Sequence, residues 1–161
     1  GGRRLARQGA RDALDRIEAG EQRRRAALEA NLAARRTPHH AELRVRVYLD
    51  CARDQARGRP TSEVFHVARA LAESARMRLR ACRQLEQEAA REVDRTRRFA
   101  QASLEQGIPV PGCQRDLREA LKRHTEILLI LEEAKDEARY AQEAASRVDF
   151  WDGVAQRSTL R

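Results

Sequence analysis

From Thr61 to Gln106 the chain runs for about 45 residues without a glycine or a proline, and apolar residues recur through it every three or four positions. That pattern predicts one helix of about 65 Å at 1.5 Å per residue. Such a length exceeds any compact small domain. Its expected stripe is Val64, Ala68, Leu71, Ala75, Leu79, Cys82, Leu85, Ala89, Val93, Phe99 and Leu104, rich in small residues that permit close helix–helix approach. The Ile108-Pro-Val-Pro-Gly112 segment cannot be helical and must reverse the chain, so a second long helix returns from about Gln114 to Arg147. The expected fold class is all-α: an elongated helical bundle with a long antiparallel helical hairpin.

Two further helices precede the hairpin. The first is expected from about Arg4 to Arg36, with Leu14, Ile17, Leu28 and Leu32 as sparse apolar positions and Gly20 as a weak point or break. Thr37-Pro38 then offers an N-cap hydroxyl before a proline in the first turn, starting a helix that Gly58 ends. Leu43, Val47 and Cys51, with Val45, Tyr48, Leu49 and Ala52 alongside, give it a wide apolar face, so this helix is expected to be well buried. The segments are therefore basic N-terminal helices over 1–57, the hairpin over 61–147 and an aromatic-containing tail over 148–161. At 161 residues they are expected to form a single folded unit.

Charge is unevenly placed. Residues 1–60 hold 15 basic against 8 acidic side chains, a net of +7, whereas 61–161 hold 18 against 17. Arg23, Arg24, Arg25, Arg35 and Arg36 are the candidate contacts for phosphate or for an acidic partner. Asp12, Asp15, Glu18, Glu21 and Glu29 interleave with the basic clusters, and no aromatic within 1–47 could stack on bases, so nucleic acid is a secondary partner. Cys51, Cys82 and Cys113 are odd in number and form no Cys-x-x-Cys pair, which points to a reduced, intracellular protein. The longest apolar run, Ile127–Leu131, is five residues against the roughly 20 that a membrane helix needs. No transmembrane segment is expected, and the Gly1-Gly2-Arg3-Arg4 start reads as a processed or engineered terminus.

Catalytic chemistry has little to stand on. Adjacent His39 and His40, with Glu42 and Cys51, lack the second ligand pair that a tetrahedral metal site requires. His124 lies on an apolar stripe and is expected to be a hydrogen-bonded core residue. His66 has no evident nucleophile partner. Cys113 alone sits at a helix start, beside Arg115, with no oxyanion donors or orienting acid in view. There is no Gly-rich phosphate loop and no G-x-S-x-G. The chain is expected to be no enzyme, with no cofactor and no metal.

Protein partners remain. Ile127, Leu128, Leu129, Ile130 and Leu131 are apolar on every side of their helix, so they sit between several helices or offer a patch to another protein. Phe150 and Trp151, flanked by Asp149, Asp152 and Gly153, are either a clasp on the bundle or an interface anchor. The expected function is a non-enzymatic interaction scaffold that forms a homo-oligomer or an obligate complex. The alternatives are a basic helical RNA-associated or ribosomal protein and a coiled-coil component of a large cellular assembly.

Leu28-Glu-Ala-Asn31, Arg35-Arg36, Leu43, Tyr48-x-Asp50, Gly58, Thr61, Phe65, Ala68 and Trp151-Asp-Gly153 together resemble the small herpesvirus tegument protein family. In simplex viruses it is encoded by the fourteenth gene of the unique long region, with counterparts in beta- and gammaherpesviruses. The resemblance covers roughly residues 23–153. It implies a minor virion tegument protein of host cytoplasm and nucleus, acting in virion morphogenesis, secondary envelopment and intracellular transport of viral proteins, with chaperone-like activity. Viral tegument or envelopment proteins would be its partners, and it carries over no catalytic residue.

Overall fold

A computed structural model of the chain describes the backbone of residues 1–107 and 112–159, and the side chains of the same stretches except Ala6 and those from Phe150 onward. Four helices fill the described residues: α1 (Gly2–Arg35), α2 (Pro38–Gln55), α3 (Thr61–Glu105) and α4 (Cys113–Thr159). The fold is an all-α helical bundle. Their ends follow local chemistry. Thr37, extended at φ −91°, accepts the His40 amide on its hydroxyl at 3.1 Å, and Pro38 occupies the first turn of α2, where its missing N–H costs no hydrogen bond. Gly58 and Gly107 terminate α2 and α3 at φ +80° and +68°, a left-handed conformation that side chains disfavour.

Gly20 does not break α1, which continues through it to Arg35. One interior glycine costs about 1 kcal/mol, less than the packing of its neighbours returns. The segment from Val148 also departs from the expected tail, because α4 runs on to Thr159. Val148 is buried, extending the row of Ala141, Ala144 and Ala145. The Ile108–Pro111 loop lies outside the described residues.

Packing divides the chain into two units, one of residues 1–33 and 83–130, the other of 34–82 and 131–161. Helices α3 and α4 each give one part to either unit, so the grouping follows parts of helices rather than consecutive sequence. In the first unit Leu14 of α1, Val93 and Ala100 of α3, and Leu117, Ala120 and Leu121 of α4 share one cluster. Glu86 pairs with His124, so α3 and α4 are antiparallel there. In the second unit Val45, Leu49 and Ala52 of α2 meet Ala68 and Ala72 of α3 and the Tyr140–Val148 face of α4. A smaller cluster joins Leu79 and Cys82 to Leu131 and Ala134, again with α3 and α4 antiparallel.

About half of the buried apolar side chains are alanine, while Leu43, Val47, Met77, Leu85, Phe99 and Ile130 are exposed. Leu43 and Val47 correct the expectation of a well-buried α2. At 100° per residue both lie on the side of α2 opposite Val45, Leu49 and Ala52, and no other helix of their unit covers them. Leu85 and Phe99 of the expected α3 stripe are exposed, and Ala72 and Ala100 are buried instead. Phe99 stands about 100° around the helix from Ala100.

Leu117 is wholly buried, so Leu117→Ala should cost about 2–5 kcal/mol in urea unfolding, and Leu43→Ala no more than about 0.5 kcal/mol. Equal losses at the two sites would contradict this division between core and surface.

Candidate interaction surface

Thin alanine contacts bury little area per residue, and the helices are also joined by pairs of opposite charge. In the first unit Arg25 of α1 donates from Nε to the Thr125 hydroxyl at 3.2 Å, and its fork approaches His124 Nδ1 at 3.5 Å. A guanidinium can only donate, so Nδ1 accepts and the Nε2–H donates to Glu86 of α3 at 3.2 Å. One partly buried node, with Thr125 wholly buried at its centre, thus ties α1, α3 and α4. Arg24 joins Glu21 at 2.8 Å and reaches Glu126 at 3.7 Å, and Arg97 of α3 donates to Glu18 at 2.6 Å.

The second unit repeats the device. Arg36 bridges Glu132 at 2.8 Å and Asp136 at 2.9 Å. Its hydrogen bond to Glu132, followed by that to Asp136, raises the guanidinium pKa above the ordinary arginine range. Hydrogen bonds from Lys135 and Arg36 lower the Glu132 carboxyl in return. Arg44 forks onto both oxygens of Glu137 at 3.0 Å, and the Tyr48 hydroxyl donates to Glu137 at 2.6 Å. Burial, then that hydrogen bond, pushes Tyr48 up to about 12. Arg147 forks onto Glu42 at 2.8 and 2.7 Å, holding that carboxyl below its usual value.

The candidate residues therefore separate. Of the basic set, Arg25 and Arg36 have their forks on neighbouring helices and Arg24 is hydrogen-bonded to Glu21 of its own helix with Glu126 of α4 at 3.7 Å, whereas Arg23 and Arg35 are exposed with no side-chain partner among the described residues. Of the apolar run, Ile127 and Leu131 are buried, Leu128 and Leu129 are half-buried and Ile130 is 46% exposed. The run is thus packed on one side and exposed at Ile130 on the other, because a helix side packed in a bundle cannot cover its opposite side. Phe150 and Trp151 fall inside α4, with side chains outside the described residues. His39 and His40 are exposed at the start of α2, and no cluster of three metal-ligating side chains occurs among the described residues.

Sequence reasoning missed the interhelical ladder. A basic excess of +7 in residues 1–60 stands against Glu126, Glu132, Asp136 and Glu137 of α4, and that complementarity was the available signal. It also missed the outward Leu43–Val47 pair, whose i,i+4 spacing resembles any buried stripe. Among the described residues no helix is long and apolar enough to cross a membrane. No family model, no curated protein and no solved structure matches the chain.

Arg36→Ala leaves Asp136, only 7% exposed, with Arg139 as its sole cation, and should cost about 1–2 kcal/mol, whereas Arg23→Ala should stay within about 0.5 kcal/mol. Thermal unfolding of both variants is the measurement. Burial also raises Tyr140, so neither of the two tyrosines should ionise at its ordinary value of 10. Absorbance titration should place Tyr48 at about 12. Because the folded value lies above the unfolded one, the Tyr48 contribution is fully present below pH 10 and is lost as pH rises from 10 toward about 12. Glu132 acts in the opposite sense: its lowered carboxyl contributes above the ordinary value of 4.5 and loses that contribution as pH falls below it.

Proposed function

We propose that this chain is a non-enzymatic protein-interaction scaffold. The observation that carries the reading is where large apolar residues stand: alanine makes up about half of the buried apolar side chains while Leu43, Val47, Met77, Leu85, Phe99 and Ile130 stand outside. Large aliphatic and aromatic side chains gain most from burial, at about 25 cal/mol per Å². A chain whose buried apolar side chains are half alanine and which keeps several larger ones outside has apolar contact left to make with other proteins. Ile130 supports the part of the Ile127–Leu131 patch assigned to partners, and Phe150 and Trp151 belong to the same proposal.

The specific form of the reading is a minor herpesvirus tegument protein in virion morphogenesis, secondary envelopment and transport of viral proteins, which rests on the sequence resemblance alone. The nucleic-acid alternative is weakened by the pairing of Arg24, Arg25 and Arg36 within the chain. Arginines already forked onto carboxylates or a hydroxyl are poor counterions for phosphate.

Light scattering coupled to size exclusion is the direct test. The chain should run above its 18.4 kDa monomer mass, or bind a protein partner from infected-cell extract. The triple variant Leu43→Ser, Val47→Ser, Ile130→Ser should lose that association while keeping its helicity. A strict monomer that binds no protein, unchanged by the triple variant, would overturn the scaffold reading.

A further inference from the structure

A shallow cleft of about 110 Å³ opens in the second unit between α3 and α4, lined by Arg69, Ala72, Arg76, Gln142 and Ala145. The two arginines are seven residues apart, so they stand on one edge of α3, two turns from each other. The floor is alanine on both helices, and Ala72 and Ala145 are buried. No larger side chain fills the space above them.

The polar groups at the rim are unequally committed. Arg76 donates to Glu73 at 2.6 Å and to the Gln142 side-chain oxygen at 3.2 Å. With that oxygen occupied, the Gln142 NH₂ keeps its donors. Glu73 is shared with Arg80 at 3.4 Å. Arg69 has no carboxylate within ion-pair distance among the described residues, and its guanidinium stands 5.5 Å from the centre of the Phe65 ring. That contact holds the guanidinium from one face and leaves its N–H edge unused.

We infer that this cleft receives a single carboxylate, an Asp or Glu side chain presented by an acidic segment of a partner protein. The inference rests on the scaffold reading only for the partner's class and uses none of the residues assigned there. Arg69 offers the two-pronged fork that matches a carboxylate, Gln142 adds an amide donor, and the alanine methyls lie under the acid's aliphatic stem. Charge balance favours a monoanion. Arg69 and Arg76 of the rim, with Arg80 and Glu73 next to them, carry a net of +2, and Glu73 repels additional negative charge. A nucleic-acid backbone, with a phosphate at every step, fits this small and partly neutralised site poorly.

The test is an NMR titration of the isotopically labelled full chain near physiological ionic strength, reading the arginine Nε–H and glutamine side-chain signals. Three probes are added separately: a blocked peptide of alternating Glu and Ala, inorganic phosphate, and single-stranded oligothymidylate. The peptide should shift Arg69 and Gln142 saturably, and Arg69→Gln should weaken that binding about tenfold. Arg59→Gln, an exposed arginine outside the cleft, should leave it unchanged. Shifts at Arg59 and Arg78 equal to those at Arg69, tighter saturation by phosphate or oligothymidylate, or indifference to Arg69→Gln would each overturn the carboxylate site. Failure here, with association still lost in the Leu43, Val47 and Ile130 triple variant, removes the cleft and leaves the scaffold reading intact.

Discussion

Close approach of small side chains is the constraint on which the rest of this structure depends. Ala138, Ala141, Ala144 and Ala145 of α4, with Ala52 of α2 and Ala68 and Ala72 of α3, let the helices of the second unit lie close together. Alanine surfaces are smooth, however, and one turn of slippage along such a face changes the packed shape little. Apolar contact alone therefore specifies register weakly, and directional groups have to supply it. Arg36 on Glu132 and Asp136, Arg44 and Tyr48 on Glu137, and Arg147 on Glu42 do so in the second unit. The Arg25–Thr125–His124–Glu86 node does so in the first.

These pairs act through geometry more than through gross electrostatic energy. Most are partly exposed, where a single ion pair contributes about 0–1 kcal/mol. Two-pronged contacts such as Arg44–Glu137 and Arg147–Glu42 fix an orientation as well as a distance. Buried members matter more. Thr125 is wholly buried and Asp136 nearly so, and each has a partner, as does every buried side-chain polar atom among the described residues. Removing one partner exposes the asymmetry between a made and an unmade hydrogen bond, which is what separates Arg36, held by Glu132 and Asp136, from Arg23, which has no side-chain partner among the described residues.

A core economical in large residues leaves them elsewhere. Leu43 and Val47 sit on the back of α2, Leu85 and Phe99 on the edge of α3, and Ile130 on the outer side of α4. The same arrangement leaves room in the α3–α4 groove, where alanines form a floor and arginines a rim. Under the proposed reading, the outward apolar residues and the cationic notch of the second unit each take a distinct partner chemistry.

The helices were legible in the sequence because their signals are local. Thr37-Pro38, Gly58 and Gly107 mark ends through capping and backbone conformation, and the absence of breakers from Thr61 to Gln106 requires a long helix regardless of what it packs against. Which side of each helix would be covered was not legible, since Leu43 and Val47 have the same spacing as Val45 and Leu49 and differ only in where the neighbours lie. The partners of Arg25 and Arg36, about 100 positions away in the chain, were hidden for the same reason. The sequence by itself determined an all-α chain and the helix ends marked by Thr37-Pro38, Gly58 and Gly107, because caps, breakers and 3.6-residue periodicity act within a few residues. The continuity of α1 through Gly20 and of α4 past Arg147 was not marked in this way. Only the tertiary structure decided which arginines are consumed and which apolar residues stay outside, because both depend on contacts between segments far apart in the chain.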